Sequence, residues 1–298
     1  MSSHPSTRHV VPTPDGRELE VLLGGDPDGV PLVYHHGTPQ AAWPSPLLED
    51  AAAQVGLRTV CFSRPGYGDS TPRSAWQPIA DDPADTVTVL DAFGLGEFLT
   101  LGWSGGGPRA LACAAVLGDR CLAAASGVGV APHVGFPGDF LAGMGEENVV
   151  EFGAAFRGEE ALRALLEEWH PGFAALTAEN LVEGMGDLLP EPDKAVLTDA
   201  FAEEMAATFR HALSRGIEGW LHDDLAFVAP WGFEPAQIRR PVALWQGRLD
   251  RMVPFAHAEF LAASIPGARV HFTEEDGHLS LMTRMPEILT ELRELGGV

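Results

Sequence analysis

Apolar residues along this chain fall into two alternating rhythms. Short, nearly continuous runs bounded by glycine or proline read as strands, the first and third of them buried: "PLVYHHG" (31–37), "LRTVCFS" (57–63), "EFLTLGW" (97–103), "CLAAASGVGV" (121–130), "RPVALWQG" (240–247) and "ARVHFTE" (268–274). Between them lie segments with helical spacing and turn residues at their ends. These are "PLLEDAAAQVG" (46–56), "DDPADTVTVLDAFG" (81–94), "GPRALACAAVLG" (107–118), "HAEFLAASIPG" (257–267) and a final helix from about Leu279. The segment "RHVVPTPDGRELEVLLGG" (8–25) reads as a hairpin around Pro-Asp-Gly. Strands alternating with helices at this pitch predict an α/β fold, with a parallel sheet covered by helices on both faces.

The rhythm breaks from about Pro132 to Pro230, where strand patterning is scarce and amphipathic helices dominate. In "KAVLTDAFAEEMAATFRHALSRG" (194–216), Leu197, Phe201, Met205, Phe209 and Leu213 form one apolar stripe and predict a single helix. Residues 132–230 are therefore expected to be a helical insert that interrupts the α/β core. The core is expected to comprise 1–131 and 231–298. An insert of this length is no ordinary loop.

Composition narrows the class. Mean hydropathy near zero and 45% hydrophobic residues describe a soluble globular chain, with no apolar run of spanning length. The N-terminus lacks a basic segment followed by an apolar one, so a cytoplasmic location is expected. Cys61, Cys113 and Cys121 are expected as small buried hydrophobes in a reducing compartment. A net charge of -23 repels phosphate backbones and anionic lipid, which argues against nucleic-acid and membrane partners. A homodimer is left open.

The candidate chemistry starts at "LTLGWSGGGPRALACAA" (99–115), where Gly102-Trp103-Ser104-Gly105-Gly106 fits G-x-S-x-G between a strand and a helix. A turn from strand to helix without a loop forces the serine into a strained conformation, and side chains two before or two after it would collide with backbone. The hydroxyl then stands at a helix N-terminus, where negative charge is favoured. A serine needs a base, and the base an orienting acid. His278, in "EEDGHLSLM", and Asp250, in "LWQGRLDRMVP", both follow strands of the same sheet, on the edge where ligands collect. Asp223 and Asp224 are weaker alternatives for the acid. Oxyanion donors are expected at the backbone N–H groups of Gly105 and Thr38, the latter in "HHGTPQ". His36 is expected to brace that loop and His35 to border the pocket. Adjacent histidines on a strand point to opposite faces, so no metal is expected. No Rossmann or P-loop pattern occurs, so no nucleotide cofactor is implied.

These segments resemble the α/β-hydrolase superfamily over nearly the whole chain. "HHGTP" is similar to its oxyanion loop, "GWSGGGP" to its nucleophile elbow, and "GRLDRMVP" and "GHLSL" to its acid and base loops. The resemblance implies a mostly parallel eight-stranded sheet, a helical lid, or cap, at 132–230 inserted between core strands six and seven, and a triad of Ser104, Asp250 and His278 in a lidded serine hydrolase of the esterase or proline-iminopeptidase-like branch, without cofactor. Serine at 104 disfavours haloalkane dehalogenases and epoxide hydrolases of this fold, whose nucleophile is aspartate. With Trp103 and lid aromatics such as Phe136 and Phe140 expected at the pocket, a small, uncharged, partly hydrophobic ester, thioester or lactone is the expected substrate, cleaved through an acyl-enzyme. An aminopeptidase or amidase gripping an amine with lid carboxylates such as Glu146, Glu147, Glu203 or Glu204 is the alternative. A cofactor-free haloperoxidase, a carbon–carbon hydrolase and a non-catalytic ligand receptor on the same scaffold also stay open.

Overall fold

A computed structural model of the chain describes residues 6–298. Strands β1 (Thr7–Pro12) and β2 (Glu18–Gly25) form an antiparallel hairpin, and Gly16 takes the left-handed φ of 87° that its turn requires. With β3 (Val30–His35), β4 (Leu57–Phe62), β5 (Phe98–Trp103), β6 (Cys121–Gly127), β7 (Val242–Gly247) and β8 (Arg269–Thr273) they make one sheet of order β1-β2-β4-β3-β5-β6-β7-β8. The ladders β1–β2 and β2–β4 are antiparallel and all others parallel. The chain adds β4 on one side of β3 and then returns to add β5 on the other. The carboxyl ends of β3 and β5 therefore flank the point where the strand order reverses, which is where open sheets leave a crevice.

Helices α1 (Pro46–Gln54), α2 (Pro83–Ala92) and α3 (Gly107–Val116) follow the early strands. Six more lie between β6 and β7: α4 (Glu146–Arg157), α5 (Glu159–Ala174), α6 (Leu181–Gly184), α7 (Glu191–Val196), α8 (Asp199–Ala212) and α9 (Glu218–Val228). The chain ends with α10 (Phe255–Ser264) and α11 (Met285–Gly296). Alternation along the strands feeds two cores. Leu32, Leu99 and Leu101 meet Leu48 of α1 and Ile288 and Leu292 of α11 on one face. Val33, Val60 and Phe98 meet Leu90 of α2, Leu111 of α3 and Leu261 of α10 on the other.

The segment between β6 and β7 has apolar clusters of its own. Leu162, Leu166, Leu213 and Trp220 form one, into which Ala41 and Tyr67 of the core loops insert. Leu181, Met205 and Phe209 form another, closed by Leu279 next to His278. The segment is thus welded to the loops at the carboxyl edge of the sheet. The single helix expected over 194–216 is two helices. Leu197 (ψ 68°) and Thr198 (ψ 162°) leave the helical region, and the Thr198 carbonyl accepts the first bond of α8 from Ala202 N at 2.8 Å. Threonine favours such a start over a helix interior, which a stripe spaced by four does not reveal.

Candidate active site

Ser104 follows β5 at once, with φ of 53°. Among the described residues only Val128 shares a positive φ with it outside glycine, and such backbone persists where the surroundings over-determine it. The surroundings here are backbone. A Cβ at Gly102 would collide with the Gly106 carbonyl, and one at Gly106 with the carbonyl of His35. The turn therefore wedges between β5 and the end of β3, with Ser104 facing the space above the sheet and α3 starting directly behind it.

His278 is buried, and its Nδ1 lies 2.8 Å from Asp250 Oδ2. Asp250 is held from its other side, Oδ1 accepting the backbone N–H of Met252 and of Val253 at 2.8 Å each, while Gln246 Nε2 donates to Oδ2 at 3.0 Å. An imidazole that donates Nδ1–H to this carboxylate presents Nε2 as an acceptor. Burial opposes its protonation, but the Asp250 charge and hydrogen bond outweigh burial and raise the His278 pKa above the ordinary value. Asp223 and Asp224 are not partners of His278. A residue that local sequence reading missed, Asp193 of α7, is fully buried and accepts the N–H groups of His278 (Oδ2) and Ser280 (Oδ1), each at 2.8 Å. The loop carrying His278 is thereby pinned to the inserted segment.

The loop after β3 is held from below. Arg64, one residue beyond the serine that follows β4, donates through Nη1 to the His36 carbonyl at 2.6 Å and through Nη2 to the Gly37 carbonyl at 3.1 Å. His36 accepts the Arg64 N–H at Nε2 (3.1 Å), so its Nδ1 donates to Gly37 O (2.8 Å). Burial, helped by the Arg64 charge, holds the His36 pKa well below the ordinary value and keeps the ring neutral. His36 thus braces the loop. A Cβ on Gly37 would sit 3.5 Å from that of Ser104, so the loop runs directly beside the serine.

Ser104, Gly105, Thr38 and His278 border one cavity of about 740 Å³ under the inserted helices. His36 and Trp103 also border it. His35, Phe136 and Phe140 do not, contrary to the sequence expectation. His35 is the last residue of β3 and points into the core, 3.6 Å from Cys113 of α3, where burial drives its pKa down to about 3. Phe136 stacks by His257 of α10, and Phe140 stands behind Phe152, which takes the wall instead. Trp169, Phe173, Phe209, Trp220 and Phe227 complete an aromatic lining.

Carboxyls interrupt that lining. Glu147, Glu151, Glu168, Glu183, Glu204 and Asp224 all border the cavity. Of the four lid glutamates considered from sequence, Glu147 and Glu204 do so; Glu146 and Glu203 do not. Glu151, partly buried, and Asp224, fully buried, lie against one another; burial raises both carboxyls, with the Glu151 charge and hydrogen bond adding to it at Asp224 and the Asp224 and Trp220 hydrogen bonds opposing it at Glu151. Glu151 accepts Trp220 Nε1, while Asp224 Oδ2 has no protein partner. Burial pushes the Glu204 carboxyl up to about 7, with nearby Glu49 adding to it and Ser45 opposing. Glu20, Asp69 and His211 bring three potential metal-ligating atoms together outside this cavity, but Arg8 already pairs with Glu20 there.

A sequence model of the family described as alpha/beta hydrolase fold matches residues 30–284. The chain is 26% identical over 301 residues to a proline iminopeptidase of Neisseria gonorrhoeae, covering 91% of this chain and 89% of that one. Among solved structures it superposes on a hydrolase from Pseudomonas aeruginosa with a TM-score of 0.69 and 19% identity, over 98% of this chain and 99% of the other. An esterase from Exiguobacterium antarcticum gives 0.65 and 18%, over 98% and 100%.

Two stability measurements probe this geometry. Gly106→Ala, whose methyl would meet the His35 carbonyl, is expected to cost at least about 2 kcal/mol in urea unfolding. A stable Gly106→Ala protein would mean that the turn is looser than described. Glu204 binds more protons folded than unfolded between 4.5 and about 7, so its ionisation costs stability as pH rises through that window. Glu204→Gln is therefore expected to raise Tm by roughly 2–4 °C near pH 8.5 and much less near pH 5. Equal shifts at both pH values would contradict the buried carboxyl.

Proposed function

The chain belongs to the α/β hydrolase family, and from that premise we propose that it is a serine hydrolase cleaving an ester, thioester or lactone of a small, partly hydrophobic acid. The observation that carries this reading is the meeting, at one cavity, of a left-handed Ser104 and a His278 already paired with Asp250. His278 Nε2 takes the hydroxyl proton as Ser104 attacks the carbonyl carbon. Asp250 keeps Nδ1 protonated and stabilises the imidazolium. The N–H groups of Thr38 and Gly105 receive the oxyanion, the leaving group takes the proton from His278, and water then cleaves the acyl-enzyme by the same steps. The aromatic lining suits an apolar acyl or leaving group, and the inserted helices exclude water.

The base must be neutral to act, and the Asp250 charge raises its pKa. The acid limb of kcat/KM for p-nitrophenyl butyrate is therefore expected above the ordinary histidine value of about 6.5. Ser104→Ala is expected to abolish turnover without changing Tm. Asp250→Asn is expected to cut kcat by roughly 10³–10⁴ and move the acid limb to lower pH. Full turnover by Ser104→Ala would overturn the reading. A ligand bound tightly and recovered unchanged by the native protein would point to a receptor.

A second reading rests on the carboxyls around the cavity. An apolar space bordered by the Glu151–Asp224 carboxyl pair, with an unpartnered Asp224 oxygen and Trp220 alongside, suits a substrate amine. The iminopeptidase relative makes an aminoacyl amide the substrate to try. Glu151→Gln together with Asp224→Asn is expected to lower kcat/KM for L-prolyl p-nitroanilide at least tenfold while sparing p-nitrophenyl butyrate. Equal losses on both would set the amine reading aside.

A further inference from the structure

Asp223 belongs to α9, in the inserted segment, and packs against the loop after β3. Its buried carboxylate accepts five hydrogen bonds. Oδ2 takes Arg64 Nη2 at 2.6 Å, Thr38 Oγ1 at 2.6 Å and Tyr67 OH at 2.9 Å; Oδ1 takes Arg109 Nη2 at 2.8 Å and Arg64 Nε at 3.2 Å. Each arginine also donates to backbone carbonyls around Ser104. Arg64 holds the carbonyls of His36 and Gly37, and Arg109, on α3, holds the Gly105 carbonyl through Nη1 at 2.9 Å while its Nε reaches Asp82 at 3.0 Å.

We propose that Asp223 is a positioning residue for the oxyanion hole, aiming the Gly37–Thr38 peptide through Arg64 and the turn behind Ser104 through Arg109. The inference rests on the serine-hydrolase reading above and adds to it a residue that touches no substrate. In a trans peptide the C=O and N–H lie in one plane and point oppositely, so fixing the Gly37 oxygen fixes the direction of the Thr38 N–H. Two donors on that oxygen, Arg64 and His36, also polarise the amide and strengthen its N–H as a donor. Asp223 sets the rotation of Arg64 by gripping both Nε and Nη2, and it grips the Thr38 side chain directly.

A purely architectural role explains this arrangement poorly. Buried ion pairs contribute little stability against apolar residues of similar volume, because desolvation offsets the attraction. Burial works to raise the Asp223 pKa, yet the Arg109 and Arg64 charges hold it well below the carboxylate range, so the group stays an acceptor throughout the working pH. Asparagine would turn an N–H toward the guanidiniums and release the forks. The consequence is that the inserted segment does more than cover the cavity. The oxyanion donors reach full alignment only while α9 is docked.

The test compares native protein, Asp223→Asn and Arg64→Lys on p-nitrophenyl acetate, with phenylboronic acid as the mimic of the tetrahedral oxyanion. The expected result is a loss in kcat of roughly 10- to 100-fold in both variants, and a parallel loss of boronate affinity. KM should stay within about threefold, and the acid limb of the pH profile should stay in place because Asp250 and His278 are untouched. Folded variants with native kcat and boronate affinity would overturn the proposal. So would a rise in KM alone, which would make Asp223 a cavity-shaping residue, or a moved acid limb, which would place its action on His278. Where Asp223→Asn does not fold, Arg64→Lys decides, since it keeps the charge and loses only the fork; failure of both to fold would assign the cluster to stability and overturn it too. A native protein that neither turns over the ester nor binds the boronate would instead remove the hydrolase reading on which the proposal stands.

Discussion

A strand that becomes a helix without a loop is the constraint on which this site depends. The passage from β5 through Ser104 into α3 brings backbone against backbone: Gly102 against Gly106, Gly106 against the carbonyls at the end of β3, and Gly107 against Gly129 beyond β6. Those contacts leave no room for side chains, which is why the segment is glycine-rich and why the serine alone carries a left-handed φ there. The same contacts fix the spacing between the serine and the loop after β3. The loops after β7 and β8 meet above them, where Asp250, anchored by two backbone N–H groups, orients His278.

Around this arrangement the inserted helices use carboxylates in two ways. Asp193 and Asp223 turn their oxygens onto backbone donors and arginines of the core loops and are fully satisfied. Glu151, Asp224 and Glu204 face the cavity, where burial raises their pKa above the ordinary carboxylate value. The first group ties the segment to the loops below it; the second sets the polarity of what can enter. Both groups belong to a chain of 42 acidic and 19 basic residues, a surplus that reads from composition alone as a solvated surface. Part of it is inside.

The sheet and its covering helices were legible because their information is local: apolar runs of strand length, helical spacing and glycine punctuation lie within a few residues of each other. Ser104, Asp250 and His278 were legible as positions for the same reason, each standing past the carboxyl end of a strand. Partners far apart in sequence were not. Asp193 lies 85 residues from His278, and Asp223 lies 159 from Arg64, so nothing in either neighbourhood signals the other. The cavity wall was misjudged for a related reason. Aromatic content identified a packed segment, but which rings face the space depends on helix orientation, so Phe152 stands where Phe140 was expected. His35 and His36, adjacent in sequence, divide at the end of β3 into a core residue and a loop brace.

Whether Ser104 is an activated nucleophile is the question that bears most directly on this reading. Intact-mass measurement and peptide mapping after exposure to a fluorophosphonate, beside a Ser104→Ala control, answer it without a known substrate. A single adduct confined to Ser104, absent from the control, is the expected result. A folded native protein that remains unmodified would contradict the nucleophile assignment and leave a ligand-binding scaffold in its place.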